Sequence, residues 1–151
     1  MKLSEIIVPK RINLNLKATT KDGVLEELVK LLGLGTHARD TILQTLRARE
    51  EMGSTGIGKG VAIPHCRSLI VSKIVVAVGR SKAGVSFKSA DKKKAFLFFL
   101  IVAPPVGNPP GDYLVALGTV AQAARVLAED KRFKKIRDIR QFMKLLEELE
   151  V

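Results

Sequence analysis

The sequence of 151 residues predicts one α/β domain in which helices pack in layers on a β-sheet. Three observations support this. Apolar strand-like segments lie between segments with helical periodicity. Hydrophobic residues make up 46% and charged residues 27%, as in a globular protein with a sizeable core. The chain has the length of one domain, and it shows neither an internal repeat nor a linker.

The first elements are a strand and two helices. Residues 12–16 alternate between apolar and polar side chains, which predicts a half-buried strand. Thr19 or Thr20 can cap a helix that ends near Leu32 at a pair of glycines. A second helix is expected over residues 39–51, before a segment rich in glycine.

The middle of the chain reads as a set of strands. Val61–Ile63 is a short strand that Pro64 closes, because proline cannot donate to a central ladder. Lys73–Arg80 is the next strand, and Gly84–Phe87 is expected to be a turn with a short edge element. Phe96–Val102 is continuously apolar, which is typical of a strand covered on both faces.

The last third predicts two more helices. A proline-rich loop without periodicity runs from Pro104 to Asp112, and Asp112 is the expected cap of a helix from Tyr113 to about Glu129. Its many small residues would allow close packing on a sheet. Asp138 and Gln141 have the spacing of a capping pair at the start of the final helix.

The net charge is strongly positive, with 26 Lys and Arg against 15 Asp and Glu, or +11. The excess is concentrated in 92–94 and in 131–140. Only Phe133 accompanies the second cluster, so the aromatic platform of single-strand nucleic acid binders is missing. Both clusters are therefore interpreted as solvated faces, and binding of nucleic acid through the basic C-terminal third is only a weak alternative.

Location and redox state follow from what the sequence does not contain. No apolar run reaches the roughly 20 residues that a membrane span needs, and the N-terminus does not resemble a signal peptide. A single cysteine, Cys66, excludes an intrachain disulfide and a zinc–thiolate cluster. These features predict a cytoplasmic protein.

The stretch GSTGIGKGVAIPH, residues 53–65, resembles a phosphate-binding loop but fails the two common motifs. Gly58-Lys59 is followed by Gly60, where a Walker motif requires Ser or Thr for magnesium. A helix precedes the loop and a strand follows it, which is the reverse of a P-loop. The dinucleotide fingerprint has Val61 where its third glycine belongs. Nucleotide binding by this loop is therefore disfavoured.

The same loop could instead serve His65. Free backbone N–H groups can bind an anion, and a neutral imidazole is a good nucleophile toward phosphorus. Ser54 or Thr55 could donate a hydrogen bond to a phosphoryl oxygen, and Arg49 could neutralise its charge. The alternatives are a structural histidine and glycines that merely turn the chain. The spacing of these residues alone favours neither the functional nor the structural interpretation.

The segment LRAREEMGSTGIGKGVAIPHCRS, residues 46–68, closely resembles the signature of type-2 IIA components of the bacterial phosphoenolpyruvate-dependent phosphotransferase system. These are the fructose/mannitol-type IIA domains and their nitrogen-regulatory relatives. The segment GVSFKSADKKKAFLFFLIVAP also resembles that family. The resemblance covers nearly the whole chain and implies one domain, 1–151, with the mannitol-type IIA fold: a central mixed β-sheet flanked by helices.

The resemblance also implies a role in sugar transport or nitrogen regulation. His65 would accept a phosphoryl group on Nε2 from HPr or its nitrogen-branch counterpart, then pass it to a IIB domain or signal to a target protein. Arg49 would be the active-site arginine, with Ser54 and Thr55 as the loop hydroxyls. Neither a metal nor an organic cofactor is implied.

Tyr113 departs from the family pattern, in which a second histidine precedes a leucine at the matching place. A tyrosine hydroxyl can still donate a hydrogen bond, but it cannot switch charge near pH 7. The other histidine, His37, is expected at the surface. Two hypotheses remain: a free-standing phosphohistidine carrier or regulator, and a degenerate binding module that regulates a partner without phosphoryl transfer.

Overall fold

A computed structural model describes residues 2–106 and 111–149, so residues 107–110 of the expected proline-rich loop lie outside the described part. The helices are α1 (Leu3–Ile6), α2 (Lys21–Lys30), α3 (Thr36–Glu51), α4 (Asp112–Glu129) and α5 (Ile139–Leu149), with short 3-10 helices at Pro9–Arg11 and Lys131–Lys135. The strands are β1 (Ile12–Asn13), β2 (Gly56–Gly58), β3 (Val61–Ala62), β4 (His65–Arg67), β5 (Val75–Val85) and β6 (Ala95–Ala103).

The six strands form one mixed sheet in the order β1-β5-β6-β3-β2, with β4 also paired to β6. The central pair, β5 and β6, is antiparallel, whereas β3 and β4 run parallel to β6. Helices α2 and α3 pack with the side chains of one sheet face, and α4 and α5 with those of the other. The predicted α/β layering and mixed sheet are confirmed.

The helices before the sheet begin close to the expected positions. The Thr20 side chain caps α2 by accepting a hydrogen bond of 3.1 Å from the backbone N–H of Gly23. Helix α3 begins at Thr36, three residues before the predicted start at Arg39. Gly35 is its N-cap and carries no side chain that could have signalled the start.

The helices after the sheet test two predicted caps. Asp112 is not the cap of α4: the N-cap is Gly111, at φ 88°, and Asp112 occupies the first turn, where its negative charge favours the helix dipole. The pair before α5 is confirmed. The backbone N–H of Gln141 donates to Asp138 Oδ1 at 2.8 Å, and Gln141 Oε1 accepts from the backbone N–H of Arg137 at 2.7 Å.

The strands differ from expectation mainly at their ends. Strand β1 stops at Asn13, and β5 continues to Val85, so the segment from Gly84 is not a separate edge element. Strand β6 is confirmed: all its residues are buried except Phe96, which is 40% exposed. The glycine segment itself forms β2, which pairs antiparallel with β3.

Candidate functional site

His65 opens β4, which has β6 on one side. Pro64 precedes it, and the backbone N–H of Ile101 donates to the Pro64 carbonyl at 3.0 Å. Side chains alternate along a strand, and Cys66 packs into the core on the α2 and α3 side. His65 and Arg67 therefore point to the other face, which α4 covers. The strand that sequence reasoning closed at Pro64 thus resumes immediately and holds the histidine.

The imidazole of His65 is half-buried and oriented by its own chain. Its Nδ1 lies 2.7 Å from the carbonyl oxygen of Ile63. A carbonyl can only accept a hydrogen bond, so Nδ1 carries the ring proton. In the neutral imidazole the lone pair then resides on Nε2. That nitrogen has no hydrogen-bond partner in the described part of the chain and is available as a nucleophile or base.

Tyr113, in the first turn of α4, faces His65. The two ring centroids lie 6.2 Å apart, with the ring planes tilted by 57°. The guanidinium of Arg67 also lies over the Tyr113 ring, with its Cζ 4.7 Å from the ring centroid. Arg67 is held in turn by a 2.7 Å hydrogen bond from Nη1 to the carbonyl of Pro105. Histidine, tyrosine and arginine thus form one cluster.

The hydroxyl of Tyr113 stays protonated throughout the physiological range. Burial raises the pKa of Tyr113 to about 12, although the positive charges of Arg67 and Arg49 act in the opposite direction. The phenol is therefore a neutral hydrogen-bond donor at pH 7. Arg49 has the smaller influence of the two cations, and no hydrogen bond joins it to Tyr113 or His65 among the described residues.

Arg49 lies in the last turn of α3 and is half-buried. Its Nη1 donates to the carbonyl of Gly53 at 2.9 Å, which fixes the guanidinium over the first residue of the glycine loop. Nε and Nη2 make no hydrogen bond within the described residues. Two donors of a fixed cation are thus available to an anion.

The two loop hydroxyls are engaged with the protein. Ser54 donates to the carbonyl of Phe87 at 2.5 Å and accepts from the backbone N–H of Gly56 at 2.9 Å. Thr55 is buried, and its hydroxyl donates to the carboxylate of Glu50, which also accepts from the Thr55 backbone N–H at 3.2 Å. Each hydroxyl proton therefore has an internal acceptor in this conformation.

Glu50 is a residue that sequence reasoning missed. Its side chain is only 6% exposed and pairs with Lys21 Nζ at 2.5 Å, so this carboxylate joins α2, α3 and the glycine loop. Arg67 was missed as well. An acidic residue in the last turn of a helix, against the helix dipole, was a usable signal for Glu50. For Arg67 the signal was its position two residues after His65, on the same strand face.

The remaining sequence candidates lie outside the cluster. His37 is exposed on α3, as expected. The Lys59 ammonium lies 3.7 Å from Glu129, and both side chains are largely solvent-exposed. Cys66 is buried, and burial raises the pKa of its thiol to about 11, which suits a packing role.

Sequence comparison now places this cluster in a family. The family model described as "Phosphoenolpyruvate-dependent sugar phosphotransferase system, EIIA 2" matches residues 5–150. The chain belongs to this family. The EIIA 2 match includes every residue of the cluster and also Arg49.

Two relatives in the EIIA 2 family illustrate its range. A fructose-specific EIIA component of Haloferax volcanii is 36% identical over 134 residues, covering 87% of this chain and 84% of the relative. A fructose-specific EIIABC component of Bacillus subtilis is 36% identical over 110 residues, or 72% of this chain. This chain spans only 17% of that longer protein's length.

Solved structures share the EIIA 2 fold. The nitrogen regulatory protein IIA-Ntr of Neisseria meningitidis superposes with a TM-score of 0.83 at 28% identity, covering 95% of this chain and 98% of that one. Escherichia coli mannitol IIA, solved in complex with phosphorylated IIB, gives a TM-score of 0.75 at 20% identity, covering 94% and 97%, and this likeness concerns the fold alone. Among the described residues, no helix is both long and apolar enough for a membrane span.

Proposed function

We propose that the protein is a phosphohistidine carrier or regulator in which His65 Nε2 accepts a phosphoryl group. The observation that carries the proposal is the hydrogen bond from His65 Nδ1–H to the Ile63 carbonyl, because it leaves the Nε2 lone pair free. In the transfer, a P–N bond forms at Nε2 while the P–N bond of the donor's phosphohistidine breaks. The donor imidazole leaves with the electron pair, and the Ile63 carbonyl stabilises the charge on the phosphorylated ring.

The surrounding side chains supply charge and hydrogen bonds to the phosphoryl group as it moves. Transfer through a metaphosphate-like state depends mostly on positioning and electrostatic stabilisation. Arg49 would neutralise the equatorial oxygens with its two available donors, and the Tyr113 hydroxyl would donate to one of them. The hydroxyls of Ser54 and Thr55 would donate hydrogen bonds to phosphoryl oxygens after leaving their present acceptors, the Phe87 carbonyl and the Glu50 carboxylate.

The donor in this proposal is HPr or its nitrogen-branch counterpart. The receiver is a IIB domain or a regulated target protein. The fructose-specific and nitrogen-regulatory names among the relatives support both branches, and the name of the Bacillus subtilis relative, an EIIABC component, supports a IIB receiver. Three large apolar side chains close in sequence to the cluster are exposed and suit a protein partner: Met52 at 85%, Leu69 at 90% and Leu114 at 68%.

The proposal treats residues 1–151 as one EIIA type-2 domain working in the cytoplasm. A buried, protonated Cys66 is compatible with a reducing compartment. The sheet supports the single-domain part, because β5 and β6 at its centre bind both helical layers into one body.

The test is phosphorylation from labelled phosphoenolpyruvate by enzyme I and either carrier. We expect one phosphoryl group that is labile to acid and stable to base, absent from His65→Ala and retained by His37→Ala. His37 is the matched control because it is the other histidine and is exposed. No label with either carrier, or label that persists in His65→Ala, would refute the proposal.

A second candidate is a regulatory module on the same fold that binds a partner without phosphoryl transfer. Tyr113 favours it, since a phenol, unlike an imidazole, has no cationic form near neutral pH with which to stabilise the phosphoryl group. Absence of label together with partner binding that His65→Ala leaves unchanged would support this candidate instead.

A further inference from the structure

A second concave site lies at the opposite end of the sheet from His65. It is a cavity of about 680 Å³, a size typical of small-molecule sites. Arg80 of β5 pairs with Leu97 of β6, whereas His65 pairs with Ile101, four positions further along that strand and about 13 Å away at 3.3 Å per residue. The cavity therefore does not belong to the phosphoryl site.

The cavity gathers positive charge from distant parts of the chain. Its lining residues include no aspartate or glutamate among those described. The two basic segments of the sequence, 92–94 and 131–140, meet here with charges from β5 and the glycine loop. The six cationic side chains of the lining are Lys59, Arg80, Lys82, Lys93, Lys94 and Lys134.

Arg80 is the anchor of this site. It is only 5% exposed, and no carboxylate in the described ranges 2–106 and 111–149 pairs with it. Nε donates to the Leu14 carbonyl at 3.0 Å, and Nη1 donates to the carbonyls of Phe133 and Ile136 at 3.3 and 2.9 Å. Nη2 makes no hydrogen bond to the described residues. A buried guanidinium fixed by three carbonyls, with one donor group unused and no counterion, is suited to an anion.

The walls of the cavity are largely apolar. Leu97, Ala128 and the Phe133 ring line it, and the ring of Phe96 adds an aromatic surface that is 40% exposed. Arg80 Cζ also lies 5.8 Å from the centre of the Phe133 ring. One inorganic phosphate would leave most of this volume empty. Cations around an apolar, partly aromatic pocket favour a ligand that has both several negative charges and a planar body.

We propose that this cavity binds a free nucleotide, with its phosphates on Arg80 and the surrounding lysines and its base against the apolar walls. The site acts independently of phosphorylation at His65. A nucleic acid strand would be a different occupant. A second cavity of about 500 Å³ adjoins this one; it shares Lys82 and Lys134 and is lined in addition by Lys135 and Arg137. Because the basic surface extends into this second cavity, the experiment includes an oligonucleotide.

The test is calorimetric titration of the full chain with metal-free ATP, tripolyphosphate and adenosine at low ionic strength. We expect ATP to bind one site at least ten-fold more tightly than either fragment. The exposed pair Lys93→Gln/Lys94→Gln should weaken ATP binding at least ten-fold, and His65→Ala should leave it unchanged. The matched control, Lys30→Gln/Lys144→Gln, removes two exposed charges outside the cavity and should bind like the wild type.

Arg80→Gln should also abolish binding, provided that its circular dichroism and unfolding transition remain those of a folded protein. The lysine pair keeps the test decisive if Arg80→Gln does not fold. Absence of ATP binding at 1 mM would overturn the proposal, as would equal losses of ATP affinity in the cavity pair and the control pair. Tripolyphosphate binding as tightly as ATP would also overturn it. So would displacement of ATP by a 20-nucleotide DNA strand whose concentration, counted in phosphate groups, is below that of the ATP.

Discussion

The buried anchor of the glycine loop leads to a quantitative prediction for Thr55→Val. Valine retains the shape of threonine but removes the hydroxyl that donates to Glu50. Hydrogen bonds to charged groups contribute about 1.5–3 kcal/mol, and the Glu50 carboxylate is too buried for water to replace the donor fully. We therefore expect the free energy of unfolding to fall by about 1.5–3 kcal/mol, or Tm by about 3–12 °C for a chain of this size.

Urea denaturation followed by circular dichroism measures this loss. The matched control is Thr45→Val, whose hydroxyl donates to the Thr41 carbonyl within α3 at an exposed position. That change should stay within about 0.5 kcal/mol of the wild type. If Thr55→Val unfolds like the wild type, the hydroxyl does not anchor the loop. Its pairing with Glu50 then cannot explain why the loop takes this conformation.

Three further predictions concern the cluster and the core. Tyr113→Phe should slow phosphoryl acceptance by about 10- to 100-fold, through loss of one charge-assisted hydrogen bond. Because the pKa of Tyr113 is about 12, the rate of Tyr113→Phe relative to wild type should not vary with pH from 5.5 to 8.5. For Tyr113→His the relative rate should rise as pH falls through about 6.5, where imidazolium forms. Burial raises the pKa of the Cys66 thiol from 9.0 to about 11. At pH 8 the thiol should therefore react with a thiol reagent about 100-fold more slowly in the native protein than in urea. Equal rates would contradict its burial. Gly79→Ala should lower the free energy of unfolding by about 1–3 kcal/mol, because the new Cβ would lie 2.6 Å from Leu16 Cδ1. Gly118→Ala, which meets open space in α4, should raise it by about 0.5–1 kcal/mol in the same urea assay.

The elements that sequence reasoning predicted best are those whose signal is local. The apolar run of β6 and the caps at Thr20 and Asp138 depend on neighbouring residues, and all three are confirmed. The start of α3 was misplaced because Gly35 offers no side-chain cap. Strand β4 was missed because a proline is expected to end a strand. Strand β4 pairs with β6 alone, and an edge strand tolerates a proline whose missing N–H would face away from its neighbour.

The site was predictable in part, for a different physical reason. His65, the proposed phosphoryl acceptor, could be singled out because a glycine-rich loop and a histidine have recognisable chemistry at short spacing. The partners of Ser54 and Thr55 could not, because Phe87 is 33 residues away in sequence and the signal for Glu50, an acidic side chain in the last turn of a helix, does not identify Thr55 as its partner. The Arg80 cavity depends on the fold bringing together two basic segments that each read as a solvated face.

Helix α4 packs on the sheet through a stripe of four fully buried side chains, two of them alanines: Ala116, Val120, Ala124 and Leu127. Its 18 residues span about 27 Å, with Tyr113 in the first turn beside His65 and Ala128 in the last turn on the wall of the Arg80 cavity. The buried stripe between these two ends packs α4 against the sheet, so one helix forms part of the boundary of both sites while about 27 Å of packed helix separates them.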